Sequence, residues 1–599
     1  MISVSGKKWF ERKISKNSIE KIKQDEKFSE IVSKLIISRN FDLNEIYNIK
    51  NKSNIINEFK NNKDFLNATN IIENCIKNNE TVCIFGDYDV DGTASTSLFV
   101  RFFEEINHPY FFYIPDREKD GYGPNKSLFE KLIRKKPKLI IMVDCGSTSN
   151  HAVDFLIKNN IKSIIIDHHD INKPYPKSDV IINPKKNNQN SFKDYFCATT
   201  LTYFFLKILE KKIKSSFDVS KYLIYVLLAL VCDVMPLRKV NRSIALNLIN
   251  DFDINSNIAF KTLYKLCDKQ GKISIDDLAY LIGPIINSGG RLSNSNLAAE
   301  LLISNNQSIV QNKSLKLINL NNKRKKIENE ILNEINFKKI SKENKDVIIY
   351  YNANLNEGII GIIASRLKDY FNKPSIVITN SKNSLKGSAR STINYNIGTV
   401  IKKLLDKGLI DKGGGHNMAA GFSMKKNNYV KVENFILEDC LKNSKNPVDL
   451  NKYDSEISAS AINQRFFNEI NQIGPFGYGN PIPTFLIKDL KIIKVKILKE
   501  KHLNIILKPL TGSSINSICF NSLNSEIGNY LMSYKKKIHV IAEIKENIWN
   551  NKKSLQLNIK DLFVNVNLSW IILTFKIKDH SRSLRLSVRT AGFHPAKGG

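Results

Sequence analysis

The residues best able to do chemistry are acidic and grouped. They are Asp87, Asp89 and Asp91 in GDYDVDG, Asp144 in VDCGS, Asp167, His168, His169 and Asp170 in IDHHD, and Asp233 in VCDVMPL. Like charges gathered in a partly desolvated cleft repel strongly, and a divalent cation is the usual compensation. Carboxylates mixed with one or two imidazoles suit Mn2+ or Mg2+, and the nitrogen ligand favours Mn2+. The chain has only nine His, and two of them stand side by side between two Asp. Each group alone has an ordinary explanation, because an Asp after a strand commonly serves as a turn residue or a helix N-cap. GDYDVDG is not an EF-hand loop, since the remaining ligand positions and the distal Glu are missing. What sets the groups apart is their register: each directly follows an apolar run.

Those runs are TVCIF, KLIIMV, IKSIII and the apolar helix Tyr222 to Val231. The first three alternate with the amphipathic segments NKSLFEKLIRKK and NHAVDFLIKNN, which is the pattern of strands and helices in a parallel sheet. In open α/β sheets reactive groups collect at the carboxyl ends of strands, where these acidic groups fall. Around this unit, residues 1–78 read as a helical lead-in, with Ile31, Leu35 and Ile36 on one face. The metal-binding unit spans 79–240, and a helical connector spans 241–340. Its charged stretch LNNKRKKIENEILNEINFKK reads as solvated. A second α/β unit occupies 341–445. The turn-rich GPFGYGNPIPTF and the short strand patterns after it read as a small barrel over 446–565. Residues 566–599 shift towards Arg, Gly and Ala and read as a tail outside any domain.

Composition bounds the partners. The chain has 599 residues, 91 Lys plus Arg and 58 Asp plus Glu, so the net charge is 91 − 58 = +33. That length implies roughly three to five domains. The positive excess asks for a polyanion such as nucleic acid, although a chain crowded with Lys, Asn and Ile also acquires such an excess from biased nucleotide composition. Eight Cys without a CxxC pair read as reduced thiols, with neither a disulfide framework nor a zinc site. The charged amino terminus lacks a signal-peptide core, and the longest apolar run falls far short of the ~20 residues that span a membrane. The expectation is a soluble, cytoplasmic protein without a membrane partner.

GDYDVDGTAST, VDCGST, IDHHD and ALVCDVMPL resemble, in order, the four motifs of the DHH phosphoesterase superfamily. GPIINSGGRL, EGIIGIIASRL, GSARS and GGGHNMAAGF resemble later blocks of the same superfamily, and PFGYGNPIP resembles the entry to the oligonucleotide-binding barrel of its single-stranded-DNA exonucleases. The resemblance runs from about residue 30 to about residue 565. It implies an α/β fold of two α/β domains, a DHH domain with a parallel sheet and a DHHA1 domain, joined by a helical connector and followed by a small OB-fold β-barrel. It implies two divalent cations, Mn2+ or Mg2+, held by Asp87, Asp89, Asp144, His168 and Asp233, with Asp144 as a bridge and His169 beside the scissile phosphate. Arg117, Arg291, Ser388, Arg390 and His416 would bind substrate phosphate, including a 5′-terminal one. Phe476, Tyr478 and Phe485 are candidates for stacking on DNA.

The implied activity is 5′-to-3′ hydrolysis of single-stranded DNA to mononucleotides in recombination and repair, by a monomer that works beside a single-strand-binding protein and a helicase. The alternatives are a DHH phosphodiesterase acting on short oligonucleotides or small nucleotides, and a non-catalytic DHH replication scaffold. The added barrel weighs against the first, and the intact ligand set against the second. Three departures from the family pattern stand out: Phe85 where many members have His, Ile285 in place of Arg, and Leu355-Asn356 in place of Trp-His.

Overall fold

The computed structural model describes residues 2–564 apart from 52–53, 118, 122, 187–194, 383, 444–449, 534–535 and 550–551. The expected tail, residues 566–599, lies outside the described residues. The chain divides into two compact units, one of residues 42–447 with 474–481, the other of residues 1–41, 448–473 and 482 onward.

The larger unit contains two sheets. In the first, five parallel strands lie in the order Tyr110–Tyr113, Val82–Gly86, Leu139–Val143, Lys162–Ile166, Val180–Ile182. Val82–Gly86 and Leu139–Val143 are buried at every position, as expected of strands covered on both faces. On one face pack the helices Val90–Glu105, Ala198–Lys212 and Leu223–Cys232, together with Lys63–Lys77 from the expected lead-in. Phe85 lies on the opposite face against Tyr113 and Phe129, with ring centroids 6.0 and 5.5 Å away. Ile285 and Leu355, the other apolar departures, are likewise buried.

The second sheet has the order Lys412–His416, Ala419–Met424, Ser384–Arg390, Ser375–Ser381, Ile348–Tyr351, with only the last pair parallel. Between the sheets in sequence runs a series of helices that includes Gln307–Glu334 and ends in Phe337–Glu343. Gln307–Glu334 is not simply solvated, as its charge pattern suggested. It buries Val310, Ser314, Leu317, Asn321, Glu328 and Ile331 along one stripe, and Glu328 there meets Arg324 at 2.9 Å and Arg366 at 2.6 Å. The spacing of that stripe is helical, but polar residues occupy half of it, which hid it from a hydrophobicity reading.

The smaller unit is built on a barrel. Strands Thr484–Leu498, His502–Lys508, Ile515–Cys519, Lys552–Val564 and Lys537–Trp549 pair in that order, and the last closes onto the first. The lead-in is not purely helical. Lys8–Glu11 is a strand parallel to Leu450–Tyr453, pinned by the Trp9 indole, which donates to Asp561 at 2.8 Å. Arg39 donates to both oxygens of Asp454, at 3.2 and 3.3 Å. Four residues carry too short a period to register as a strand in sequence.

Candidate active site

The acidic groups converge at the carboxyl ends of the parallel strands. Asp87 directly follows Val82–Gly86, and Asp89 caps the helix Val90–Glu105, accepting from the N–H groups of Asp91 and Gly92 at 3.0 and 3.1 Å. Asp91 sits in the first turn of that helix. Its carboxylate accepts from the N–H groups of Ala198 (2.7 Å) and Thr199 (2.8 Å) and from the Thr199 hydroxyl (2.6 Å), at the N-terminus of a second helix. Backbone donors at a helix start stabilise an ionised carboxylate and fix its direction. Asp144 follows Leu139–Val143 in the left-handed region, φ 59°. Asp233 is the C-cap of Leu223–Cys232, and the next residue, Val234, is held at φ 55°, a strained conformation for a β-branched side chain.

His168 is the hub. Its Nε2 lies 3.3 Å from Asp144 Oδ1, 3.5 Å from Asp233 Oδ2 and 3.6 Å from Asp91 Oδ2. Three overlapping groups each bring their ligand atoms within 4.8 Å of one another: Asp91, His168 and Asp233; Asp87, Asp89 and Asp144; Asp144, His168 and His169. The residues fit a divalent cation on two grounds. Asp144 Oδ1 and Asp233 Oδ2 are buried with no hydrogen-bond partner, and the donor set is oxygen with one or two imidazoles. Burial and the neighbouring carboxylates push Asp144 and Asp233 well above the usual aspartate range. Burial and then Asp89 raise Asp87 to about 7. Burial, reinforced by the charge on His169, depresses His168 to about 4, which leaves a neutral imidazole able to ligate a metal.

His169 behaves differently. Burial opposes its charge, but Asp167, 2.7 Å from Nδ1, outweighs that and lifts it to about 10. Asp167 is itself held by the N–H of Ser147 at 3.0 Å. The ring of His416, from the second sheet, lies parallel to that of His169 with centroids 5.9 Å apart.

A basic cluster belongs to the same unit. Arg117 stacks on the Tyr88 ring at 4.1 Å, and its buried Nε has no hydrogen-bond partner. Arg291 donates to the Gly358 carbonyl at 3.1 Å. Arg390 donates to the Ser388 hydroxyl at 3.3 Å. Burial and then Arg117 lower both Arg291, to about 10, and Arg390; Arg390 in turn also lowers Arg291. None of the three pairs with a carboxylate among the described residues. Two glycines permit the packing: a Cβ on Gly358 would stand 2.1 Å from the Arg291 carbonyl oxygen, and one on Gly290 would stand 2.6 Å from that of Tyr88.

The structure thus gathers all five residues that the resemblance carried over as ligands, and it adds Asp91. The signal for Asp91 was present in GDYDVDG, but nothing local distinguishes its third Asp from its first. Arg117, Arg291, Ser388 and Arg390 come together, whereas His416 sits beside His169. Of the stacking candidates, Tyr478 is exposed and Phe476 half-buried, both in the larger unit, where the Tyr478 carbonyl accepts from the Leu237 N–H at 2.7 Å. Phe485 cannot stack on a base: it is fully buried in the barrel, against Phe466, because its strand is covered on both faces there.

Family models match the chain at three places: the DHH family, N-terminal domain, over residues 81–230; the DHHA1 domain over 344–442; and the RecJ OB domain over 453–561. The single-stranded-DNA-specific exonuclease RecJ of Bacillus subtilis is 26% identical over 570 residues, covering 93% of this chain and 71% of that protein. Its namesake from Haemophilus influenzae is 27% identical over 515 residues, covering 82% and 89%. Among solved structures, RecJ from Thermus thermophilus in complex with Mn2+ superposes with a TM-score of 0.77 at 20% identity, covering 94% of this chain and 80% of that one. That likeness establishes a shared fold.

Proposed function

The chain belongs to the DHH family, with the RecJ arrangement of DHH, DHHA1 and OB domains, and on that premise we propose that it is a divalent-metal-dependent exonuclease that degrades single-stranded DNA from the 5′ end. The observation that carries the reading is a pairing of opposites. Buried carboxylate oxygens without a hydrogen-bond partner converge on one neutral imidazole, and the same compact unit holds three guanidiniums that have no carboxylate partner among the described residues. Asp87, Asp89, Asp91, Asp144, His168 and Asp233 would hold the divalent metal, two ions on this reading. Bound there, divalent cations supply positive charge to the attacking and leaving oxygens of an in-line displacement at phosphorus.

The chain's own groups do the rest. Arg117, Arg291 and Arg390 offer planar forks to a terminal phosphate, and the Ser388 hydroxyl adds one more contact. His169, charged and oriented by Asp167, donates from Nε2 towards a phosphate oxygen. Tyr478 presents a ring on which an unpaired base can stack. The remaining parts of the reading are release of mononucleotides and action in recombination and repair, by a cytoplasmic monomer assisted by a single-strand-binding protein and a helicase. Among the described residues no helix is long and apolar enough to cross a membrane.

The test is digestion of single-stranded and duplex oligonucleotides, labelled at either end, with and without Mn2+. Metal-dependent loss of a 5′ label from single strands as mononucleotide is expected. Internal cleavage, release from the 3′ end or activity unaffected by chelator would overturn the reading.

A further inference from the structure

Asp170 closes the IDHHD motif, yet it lies in none of the three ligand groups. It points instead to the second sheet. One carboxylate oxygen lies 3.2 Å from Nδ1 of His416, and the other accepts from the Lys185 ammonium at 3.0 Å. Lys185 is placed in turn by Asn183, whose Oδ1 accepts from the Lys185 N–H at 2.8 Å. The Asn183 amide donates to the carbonyl of His169 at 2.9 Å and to the Ser147 hydroxyl at 2.8 Å. Asp170 is thus steered from its own domain by Lys185 and spends its second oxygen on a residue 246 positions away.

A carboxylate only accepts, so the contact with His416 requires a proton on Nδ1 of that ring. That leaves Nε2 as the nitrogen available for substrate, on a ring lying parallel to that of His169 at 5.9 Å. His416 could not hold this pose through its own strand: Lys412–His416 is an edge strand of the sheet, rich in glycine, and the imidazole is about half exposed. An exposed side chain at the end of such a strand loses its orientation unless a partner fixes it.

We propose that Asp170 is a positioning residue, which draws His416 of the DHHA1 domain across to the DHH domain and sets its imidazole with Nδ1 protonated and Nε2 facing the scissile phosphate. This rests on the exonuclease reading for its kinetic consequence but not for the contact itself. The same pair is a direct contact between the two domains beside the acidic cluster. Arrangements of this kind, in which a carboxylate fixes an imidazole that acts on substrate, alter rates by about 10- to 100-fold when the carboxylate is removed.

The experiment uses the full chain with 15N-labelled histidine, as wild type, Asp170→Asn, His416→Ala and the double variant. The His416 ring signals, assigned by their absence in His416→Ala, are expected to show a protonated Nδ1 in wild type and to shift or become mixed in Asp170→Asn. With single-stranded DNA, Asp170→Asn is expected to lower kcat about tenfold with little change in KM or in Mn2+ affinity, and to have less than a twofold effect in the His416→Ala background. An unchanged His416 signal in Asp170→Asn would overturn the proposal, as would an equal loss of activity in both backgrounds. Lys185→Ala provides a second variant that leaves Asp170 in place and is expected to produce a smaller shift of the same signals. If the wild type degrades no DNA, the exonuclease reading fails, and the His416 signals still decide whether Asp170 sets the ring.

Discussion

The acidic cluster and the basic cluster share the larger unit, and they solve the same electrostatic problem in opposite ways. The carboxylates of Asp87 and Asp144 are buried and that of Asp233 is partly buried beside them, and all three respond by holding protons more tightly. The guanidiniums of Arg117, Arg291 and Arg390 have no such escape, because an Arg does not deprotonate in the working range of a protein. The acidic side can therefore exist metal-free by becoming partly neutral, whereas the basic side stays charged and poised for an anion. The lesson is that crowded carboxylates can relieve their repulsion by taking up protons, whereas crowded guanidiniums are relieved only by an anion.

The largest expected effect tests the acidic side. Asp144→Ala removes a residue shared by two of the ligand groups, and nuclease activity should fall by at least about a thousandfold, the equivalent of several kcal/mol of charge stabilisation. The variant should remain folded by circular dichroism, since a mutually repelling buried carboxylate is lost; full activity in a metal-titrated assay would remove Asp144 from the site. Next comes the basic side. Arg390→Ala should cost roughly 10- to 100-fold in kcat/KM on 5′-phosphorylated single strands, and much less on 5′-hydroxyl ones. Equal losses on both substrates would detach the cluster from terminal-phosphate recognition.

A smaller effect is expected at Tyr478, where replacement by Ala should weaken single-strand binding by about fivefold, measured by fluorescence anisotropy. The smallest is a change in thermal stability with pH. Asp87 is raised from the ordinary aspartate range to about 7, so this one carboxyl keeps its proton in the folded chain but loses it in the unfolded chain between about pH 4 and 7. Stability from that source is present below pH 4 and is lost as pH rises towards 7. The metal-free protein should therefore melt about 2–4 °C lower at pH 7.5 than at pH 5, and Mn2+ should raise the melting temperature more at pH 7.5. An equal metal effect at both values would show that protons and metal do not compete.

Much of the acidic side was legible in the sequence because each of its pieces is local. An apolar run that is buried on both faces must be a strand of a parallel sheet, and an Asp that directly follows it lands at the carboxyl edge. The basic side was legible only through resemblance, since isolated arginines carry no period. Arg117, Arg291 and Arg390 stand in a loop, a connector helix and a strand of the second sheet, and only their meeting gives them a meaning.

By itself, then, the sequence determined which residue types end which strands, and hence that a divalent cation has a place here. Tertiary structure alone decided the partners. Asp91 faces His168 and Asp233 because two backbone N–H groups and a hydroxyl at the start of the helix Ala198–Lys212 hold it there, more than a hundred residues away. Phe485 was withdrawn into the barrel by strands that pair on both sides of it, and Asp170 was given to His416 instead of to the metal cluster. The physical reason is common to all three: a side chain's neighbours along the chain set its direction within an element, but only the packing of distant elements sets what it meets.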